Sequence, residues 1–342
     1  MNSWLVGCLL AASTLQGMAA VKVTADEAHQ RVDITVDGKP FTSYVWPTTL
    51  KKPVLYPLIT SDGIDAVRGF PLAPRQGERV DHPHHAGIWF NYGDVNNFDF
   101  WNNSDAIKPA DREKMGTIHQ QKILSTKSGD RGELVVESLW TAGSGQNLLE
   151  QKTRYFFSQH NDERIIDLIV TLHAFDRVVF HDDKEGLLGI RVARWLESPT
   201  EKGGTFTDAN GRTTDVQASN LPGASGVYLT SEGKQGDQAW GTRGRWCALT
   251  GKTEDHTVTI AVFDHPGNPN YPTYWHARGY GLFAANPLGQ HIFDPKAQPL
   301  NYKIDKDQNV TFTYRILLMD RTPKPGELDR DADTFAANYH QK

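Results

Sequence analysis

The chain has 342 residues with 38% hydrophobic and 23% charged side chains, and its formal net charge is −5. This composition is that of a folded globular protein with enough apolar residues for a large core. A nucleic-acid-binding protein would show a strongly basic patch, and neither half of the chain has a long basic run, so we expect no nucleic-acid partner.

Residues 1–20 form the first predicted element, a secretory signal peptide. Apolar residues run from Trp4 to Leu15, small residues follow up to Ala20, and the chain then becomes polar. This pattern predicts a periplasmic or extracellular protein, with a buried N-terminal helix as the alternative. No later segment approaches the ~20 consecutive apolar residues of a membrane span, so we expect no integral membrane segment in the mature protein.

The mature chain alternates apolar and polar residues with a period of two, which predicts half-buried β-strands. In the segment NVTFTYRILLMD, for example, one face is apolar and the other polar. Turn sequences rich in Gly, Asp and Asn separate such runs. Many strands with short connections favour an all-β fold, a large antiparallel β-sandwich similar to a supersandwich, in one domain over residues 21–342. The tail GELDRDADTFAANY predicts a short C-terminal helix with an apolar side.

Four stretches combine titratable groups with large aromatic residues near predicted strand ends, where functional sites are usually built. Three of them are DHPHHAGIWFNYGDVNNFDFW at 81–101, HDDKEGLLGIRVARW at 181–195 and FDHPGNPNYPTYWHARGYGLFAANPLG at 263–289. The fourth is the segment ELVVESLW around Glu137. No serine-hydrolase elbow, P-loop or dinucleotide fingerprint accompanies them.

Metal binding is one interpretation of the histidine cluster. His82, His84 and His85 are imidazole ligands at close spacing, and His265 or His276 would complete a site. The chain has no H-E-x-x-H motif and no paired cysteines, because Cys247 is the only cysteine after the signal peptide. We therefore expect no cofactor and favour a hydrogen-bonded histidine network, with a divalent metal ion as the alternative.

Acid–base chemistry on a sugar is the second interpretation. A histidine beside a glutamate provides two groups that exchange protons near neutral pH. The candidate catalytic residues are His84, His276, Glu185, His82 and Glu137. Aromatic rings stack on sugar rings, while amides and guanidinium groups recognise hydroxyl or carboxylate groups. The candidate substrate-binding residues of these types are Trp89, Trp101, Trp275, Tyr280, Asn96, Asn268, Arg191 and Arg278.

The segments DHPHHAGIWF, GDVNNFDFW, DKEGLLGIRVA and FDHPGNPNYPTYWHARGYGLFAANPLG, in this order, resemble a bacterial family whose members are often labelled "PmoA" or "methane oxygenase". We discard that activity because a particulate methane oxygenase is an integral membrane protein. The resemblance implies a secreted protein of polysaccharide-degrading bacteria and adds Asp94 and His265 to the substrate-binding candidates. The all-β pattern is also similar to galactose-mutarotase-like sandwiches, which host epimerases, lyases and glycosidases.

The sequence thus predicts a secreted carbohydrate-active enzyme, a glycosidase or a related sugar-processing enzyme, with a carbohydrate substrate. Two alternatives remain open. One is a metal-dependent hydrolase or oxygenase that uses the histidine cluster as ligands. The other is a non-catalytic glycan-binding protein, which would need the aromatic residues but neither the histidines nor the carboxylates.

Overall fold

The structure is a computed structural model, and it describes residues 20–200, 202–217, 223–253 and 255–339. Residues 1–19 of the expected signal peptide lie outside the described residues. Within the described ranges, no helix has both the length and the apolar character needed to cross a membrane.

The described residues form strands along almost the whole chain. The strands are β1 (Val21–Asp26), β2 (Arg31–Val36), β3 (Lys39–Val45), β4 (Val54–Leu58), β5 (Ile88–Tyr92), β6 (Gly116–Lys127), β7 (Gly132–Ala142), β8 (Asn147–His160), β9 (Glu163–Ala174), β10 (Val178–Phe180), β11 (Gly186–Arg191), β12 (Gly204–Thr207), β13 (Thr213–Val216), β14 (Val227–Thr230), β15 (Trp246–Thr253), β16 (His256–Asp264), β17 (Tyr274–Arg278), β18 (Leu282–Asn286), β19 (Tyr302–Ile304) and β20 (Asn309–Met319). The α-helices are α1 (Gln290–Phe293) and α2 (Glu327–Ala337). Short 3-10 helices span Glu27–His29, Pro109–Lys114, Arg194–Leu196 and Gly236–Ala239.

Two eight-stranded sheets form the body of the fold. The first sheet has the order β1-β2-β3-β4-β5-β11-β18-β17, and the second has the order β14-β15-β16-β20-β9-β8-β7-β6. Neighbouring strands are antiparallel in both sheets. The predicted all-β class and large antiparallel β-sandwich are confirmed.

The core lies between the two sheets, and the period-two pattern explains how it forms. On β20 the alternate residues Val310, Phe312, Tyr314, Ile316 and Leu318 are all buried in this core, as the sequence predicts. The opposite face of the second sheet is covered by α2, the predicted C-terminal helix. Its buried residues Leu328, Ala332 and Phe335 pack against that face in a second cluster with Phe263 and Leu317.

The first sheet also has two occupied faces. On β5, Ile88, Phe90 and Tyr92 point into the core between the sheets, whereas Trp89 points to the opposite face. There it joins a smaller cluster with Trp101, Leu282 and Ala284. Because side chains alternate along every strand, this outer face collects every second residue of the strands that form it.

Gly189 is the point at which the outer face is tightest. It pairs with Trp89 on β5 and with Ala284 on β18. A Cβ atom at position 189 would lie 2.5 Å from Cζ2 of Trp89 and 2.9 Å from Cη2 of Trp101. Both indole rings are buried. Only glycine therefore allows the two rings to lie on the sheet.

We expect the substitution Gly189→Ala to lower the free energy of unfolding by about 1–3 kcal/mol, because a buried methyl group must displace two packed indole rings. Urea unfolding followed by tryptophan fluorescence measures this change. Gly279→Ala is a control in which the new Cβ would come no closer than 3.3 Å to another atom, Cβ of Ser198. An unchanged unfolding midpoint for Gly189→Ala would contradict this account of the outer face.

Candidate functional site

The candidate site lies on the outer face of the first sheet. Strand pairing places Trp89, Gly189, Ala284 and His276 in one row across β5, β11, β18 and β17. These residues face away from the core between the sheets, whereas their chain neighbours, such as Phe90, point into it. Three of the four stretches selected from the sequence meet here. The strands that contain them are part of one consecutive run in the first sheet, β5-β11-β18-β17.

Four rings are stacked above the row. Tyr280 stacks on His82 with ring centroids 5.3 Å apart, and His82 stacks on His85 at 4.9 Å, each with an interplanar angle of 2°. His85 stacks in turn on Trp89 at 5.2 Å. We call Tyr280, His82, His85 and Trp89 the aromatic stack. Its first ring is that of Tyr280, its second is the exposed ring of His82, and its last is the buried indole of Trp89.

A network of two arginines and one aspartate holds the histidine loop in place. Oδ1 of Asp81 accepts hydrogen bonds from Nη1 of Arg68 and from Nη2 of Arg191, both at 2.6 Å. Both arginine side chains are buried. Arg68 also donates to the backbone carbonyls of His82 at 3.0 Å and His85 at 2.9 Å. Burial raises the pKa of Asp81, but His82, Arg191 and Arg68 outweigh this and hold the pKa well below its ordinary value.

His85 is held in its neutral form by its neighbours. Nε1 of Trp101 donates to Nε2 of His85 at 3.0 Å, and Nη1 of Arg191 lies 3.2 Å from Nδ1. Indole and guanidinium nitrogens only donate hydrogen bonds, so a protonated imidazole would face a donor at both of its N–H groups, whereas the neutral ring accepts from one of them through its unprotonated nitrogen. Burial, reinforced by His84 and Arg191, lowers the pKa of His85 well below its ordinary value.

Glu185 and His276 form a pair beside the aromatic stack. Nδ1 of His276 lies 3.7 Å from Oε2 of Glu185. Both atoms are buried and have no hydrogen-bond partner within the described residues. Nε of Arg278 donates to Nε2 of His276 at 3.2 Å, so the ring proton of a neutral His276 lies on Nδ1 and faces Glu185. Lys184 pairs with the other oxygen of Glu185 at 2.5 Å.

The histidines differ from the expectation that they titrate near neutral pH. Burial, with Lys52 and His82 nearby, lowers the pKa of His84 to about 2. Burial, with Arg278 and Lys184 nearby, lowers the pKa of His276 to about 3. Both rings are therefore neutral at pH 7. They serve as hydrogen-bond donors or acceptors, so neither ring exchanges a proton near neutral pH.

Asp183 is a candidate that the sequence analysis missed. Burial, followed by the charge of Glu185, raises the pKa of Asp183 to about 6 even though its carboxylate accepts a hydrogen bond from the Glu185 amide at 3.0 Å. The carboxylate lies close to Gly93, where a Cβ atom would approach Oδ2 to 2.6 Å. Asp183 lies within a stretch selected from the sequence, but burial beside a second carboxylate is decided by tertiary structure.

The structure buries three predicted sugar contacts beneath this surface. Trp101 and Arg191 are 0% exposed and Trp89 is 2% exposed. Such side chains support the aromatic stack and offer no ring face or hydrogen-bonding edge to a ligand. Trp275 is also 0% exposed and lies in the core between the sheets, on the other side of β17 from His276.

Several other predicted residues lie away from the site. Glu137 is on β7 in the second sheet, where it pairs with Lys122 at 3.1 Å. Asn96 lies in a turn, in which its side-chain oxygen accepts a hydrogen bond from the amide of Val179. Asp94 caps the same turn by accepting a hydrogen bond from the amide of Asn97.

The second Asp-His-Pro tripeptide, at 264–266, also has local bonding partners. His265 contacts the carbonyl of Asn338 through Nε2 at 2.8 Å, at the end of α2. Asn268 donates to Asp264 at 2.6 Å and bonds with both backbone groups of Thr313 on β20. These contacts join the loop to the second sheet, so His265 and Asn268 are not brought to the aromatic stack.

The three clustered histidines do not form a metal cage. Across the described ranges, no three His, Cys, Asp or Glu side chains are grouped to hold a metal ion. The rings of His82 and His85 lie parallel and face to face, so their in-plane nitrogen lone pairs do not point at a shared centre. These rings therefore do not converge on a metal ion in the observed arrangement.

The chain belongs to DUF6807, a family of unknown function, whose model matches residues 31–333. No curated protein matches the chain in sequence. The family description names no activity, so the resemblance to proteins labelled "PmoA" stays a prediction.

Solved structures resemble the chain weakly in fold. The family 36 α-galactosidase AgaB from Geobacillus stearothermophilus has 10% identity and a TM-score of 0.37, over 88% of this chain and 41% of that enzyme. A galactose mutarotase-like protein from Clostridium acetobutylicum has 8% identity and a TM-score of 0.38, over 88% and 98% of the two chains. The chain spans about two fifths of the length of the α-galactosidases that it matches.

The raised pKa of Asp183 predicts a pH-dependent stability. The folded state binds this proton more tightly than the unfolded state, whose aspartate pKa is near 3.8. The stabilising contribution is present at low pH and is lost as the pH rises from about 4 through about 6. We expect Asp183→Asn to match the wild type at pH 4 and to be more stable by about 2 kcal/mol at pH 8.

Thermal and urea unfolding at both pH values test this expectation. Asp94→Asn is a matched control, because Asp94 is a turn carboxylate that, like Asp183, accepts a backbone hydrogen bond. Equal effects of Asp183→Asn at pH 4 and pH 8 would show that Asp183 does not carry a raised pKa.

Proposed function

We propose that this DUF6807 protein is a carbohydrate-active enzyme that works by acid–base chemistry on a sugar, as a glycosidase or a related sugar-processing enzyme. The observation that carries this proposal is the pair of buried, unpartnered atoms, Nδ1 of His276 and Oε2 of Glu185, which face each other 3.7 Å apart. Leaving two buried polar atoms without partners costs stability, and a buried histidine with a strongly lowered pKa beside a carboxylate is a functional-site candidate.

Groups suited to a ligand rich in hydroxyls surround the pair. The guanidinium of Arg278 lies over the ring of Trp240, and its two terminal nitrogens have no partner within the described residues. Burial raises the pKa of Tyr280 to about 12, so its hydroxyl stays protonated and is a hydrogen-bond donor. With the exposed ring of His82, these groups form a polar rim above a buried floor.

In the proposed reaction, Glu185 accepts a proton from a sugar hydroxyl or ring carbon, as general bases do. The neutral His276, whose side chain is 1% exposed, directs its Nδ1 hydrogen at Glu185 and thereby positions that carboxylate. Asp183, with a pKa of about 6, is available in its protonated form as the acid. In this assignment Asp183, and not a histidine as expected from the sequence, exchanges protons together with Glu185.

We also propose that the protein acts in the periplasm or outside the cell. The support is the apolar N-terminal segment that ends in small residues at Ala20. An extracellular location suits an enzyme that acts on polysaccharides, since these polymers do not enter the cell intact.

The first test is the substitution Glu185→Gln, which keeps the shape of the side chain but removes its basicity. We expect kcat/KM on the active substrate to fall at least about 100-fold, because general base catalysis is lost. The melting temperature should stay within about 2 °C of the wild type, because the lost ion pair with Lys184 is partly exposed. A panel of neutral and acidic polysaccharides, assayed for new reducing ends and for unsaturated products, identifies the substrate.

Glu137→Gln is the matched control, because it changes the same residue type on the second sheet, where it pairs with Lys122. We expect this variant to keep full activity. Turnover that survives Glu185→Gln would reject Glu185 as the base. A wild-type protein that binds an oligosaccharide without converting it would instead favour the glycan-binding alternative.

A further inference from the structure

A cavity of about 530 Å³ lies at one side of the sandwich, beside the candidate site. We call it the lateral cavity. The loop after β3, the segment around the 3-10 helix Pro109–Lys114 and the start of β6 enclose it. Its lining includes Trp46, Lys51, Lys52, Asn103, Arg112 and Gln120. Neither Glu185 nor His276 lines it.

The lateral cavity is positively charged, although the whole chain is negative. Lys51, Lys52 and Arg112 contribute three cationic groups to the lining, and Asp105 contributes one carboxylate. Asp105 pairs with Lys51 at 2.5 Å. The side chain of Arg112 has no partner within the described residues, and its guanidinium is therefore free to bind a ligand.

Lys52 is the most deeply placed of the cations. It is 4% exposed, and its ammonium group donates to the carbonyl of His84 at 2.7 Å. The same group lies 5.3 Å from the ring centroid of Trp89, the buried end of the aromatic stack. Burial lowers the pKa of Lys52 to about 7. An anion in the lateral cavity would stabilise the charged form of this amine, since an opposite charge nearby favours ionisation.

Neutral groups of the lining suit a sugar. The side-chain oxygen of Gln120 accepts a hydrogen bond from the hydroxyl of Tyr44, which fixes the orientation of the amide. Its Nε2 is buried and has no acceptor within the described residues. Asn103 uses its amide hydrogens within the protein, on the carbonyl of Gly116 at 2.8 Å and on Oγ1 of Thr117 at 3.1 Å, so only its side-chain oxygen is left to accept a hydrogen bond. The partly buried ring of Trp46 supplies an apolar surface of the kind on which sugar rings pack.

We propose that the lateral cavity is a second saccharide-binding subsite that selects a sugar unit carrying a negative charge, either a carboxylate or a sulfate group. The choice of a saccharide rests on the proposed function, whereas the preference for an anion follows from Arg112 and Lys52, the two cations of the lining that are not paired with a carboxylate. Lys52 forms the wall between this subsite and the aromatic stack. A chain of linked sugars would thus occupy both the lateral cavity and the Glu185 site.

Calorimetric titration of the Glu185→Gln protein tests the proposal without consuming the ligand. The probes are tetragalacturonate, its neutral methyl ester and a sulfated galactan tetramer. We expect at least one acidic probe to bind about tenfold more tightly than the neutral ester, and this preference to weaken as salt rises. The carboxylated and sulfated arms distinguish the two sources of the charge. Equal or absent binding of all three probes would overturn the proposal.

Two further substitutions locate the binding. Arg112→Gln should weaken binding of the acidic probe about fivefold and leave the neutral ester unaffected, because one partly exposed charge pair is lost. Lys108→Gln is the matched control, since Lys108 is an exposed cation four residues away that does not line the lateral cavity. Equal effects of the two substitutions would overturn the assignment to this cavity.

The outcomes of Arg112→Gln and Glu185→Gln, taken together, distinguish a failure of this inference from a failure of the proposed function. If Arg112→Gln leaves binding unchanged while Glu185→Gln abolishes turnover, the subsite is rejected and the enzyme assignment stands. If Arg112→Gln weakens binding in a protein that converts no sugar, the subsite stands within a glycan-binding protein and the enzyme assignment is rejected.

Discussion

The shared carboxylate of Asp81 is the interaction on which the candidate site depends. Two buried guanidinium groups, Arg68 and Arg191, lie 2.6 Å from the same oxygen. Loss of the one anion between two buried cations would leave both uncompensated, which costs several kcal/mol in comparable buried pairs, on the order of 3–5 kcal/mol. Arg68 also binds the backbone of the histidine loop, so the charge balance and the position of His82 and His85 are set together.

This arrangement explains why His84, His85 and His276 are not acids at neutral pH. Cations and burial surround the rings, and both factors favour the uncharged imidazole. His85 is locked between Trp101 and Arg191, while His276 receives a hydrogen bond from Arg278. The titratable chemistry moves to the carboxylates, which are the groups whose pKa burial raises into the neutral range.

The outer face of the first sheet connects the proposed site to the lateral cavity. Trp89 stacks on His85 and also lies 5.3 Å from the ammonium of Lys52. Gly189 makes this possible, because a larger residue would lift the indole off the sheet. Two neighbouring sites on one rigid surface suit a ligand with repeating units, since binding of linked units is stronger than binding of either alone.

The sequence by itself determined the strands, the sandwich and the C-terminal helix. Residue alternation, as at Val310 to Leu318 on β20, is a local property that any half-buried strand shows. The composition of the sequence also marked the stretches that contain His82, Glu185 and His276, because titratable groups among large aromatic residues are costly to bury without partners.

Only the tertiary structure decided which of these residues meet. It separated His276 from its neighbour Trp275, which points to the other face of β17. It placed Glu137 on the second sheet and buried the carboxyl group of Asp183, which raises its pKa. The physical reason is that strand order and burial depend on contacts between distant segments, so neither the grouping nor the pKa of a side chain is written in its local sequence.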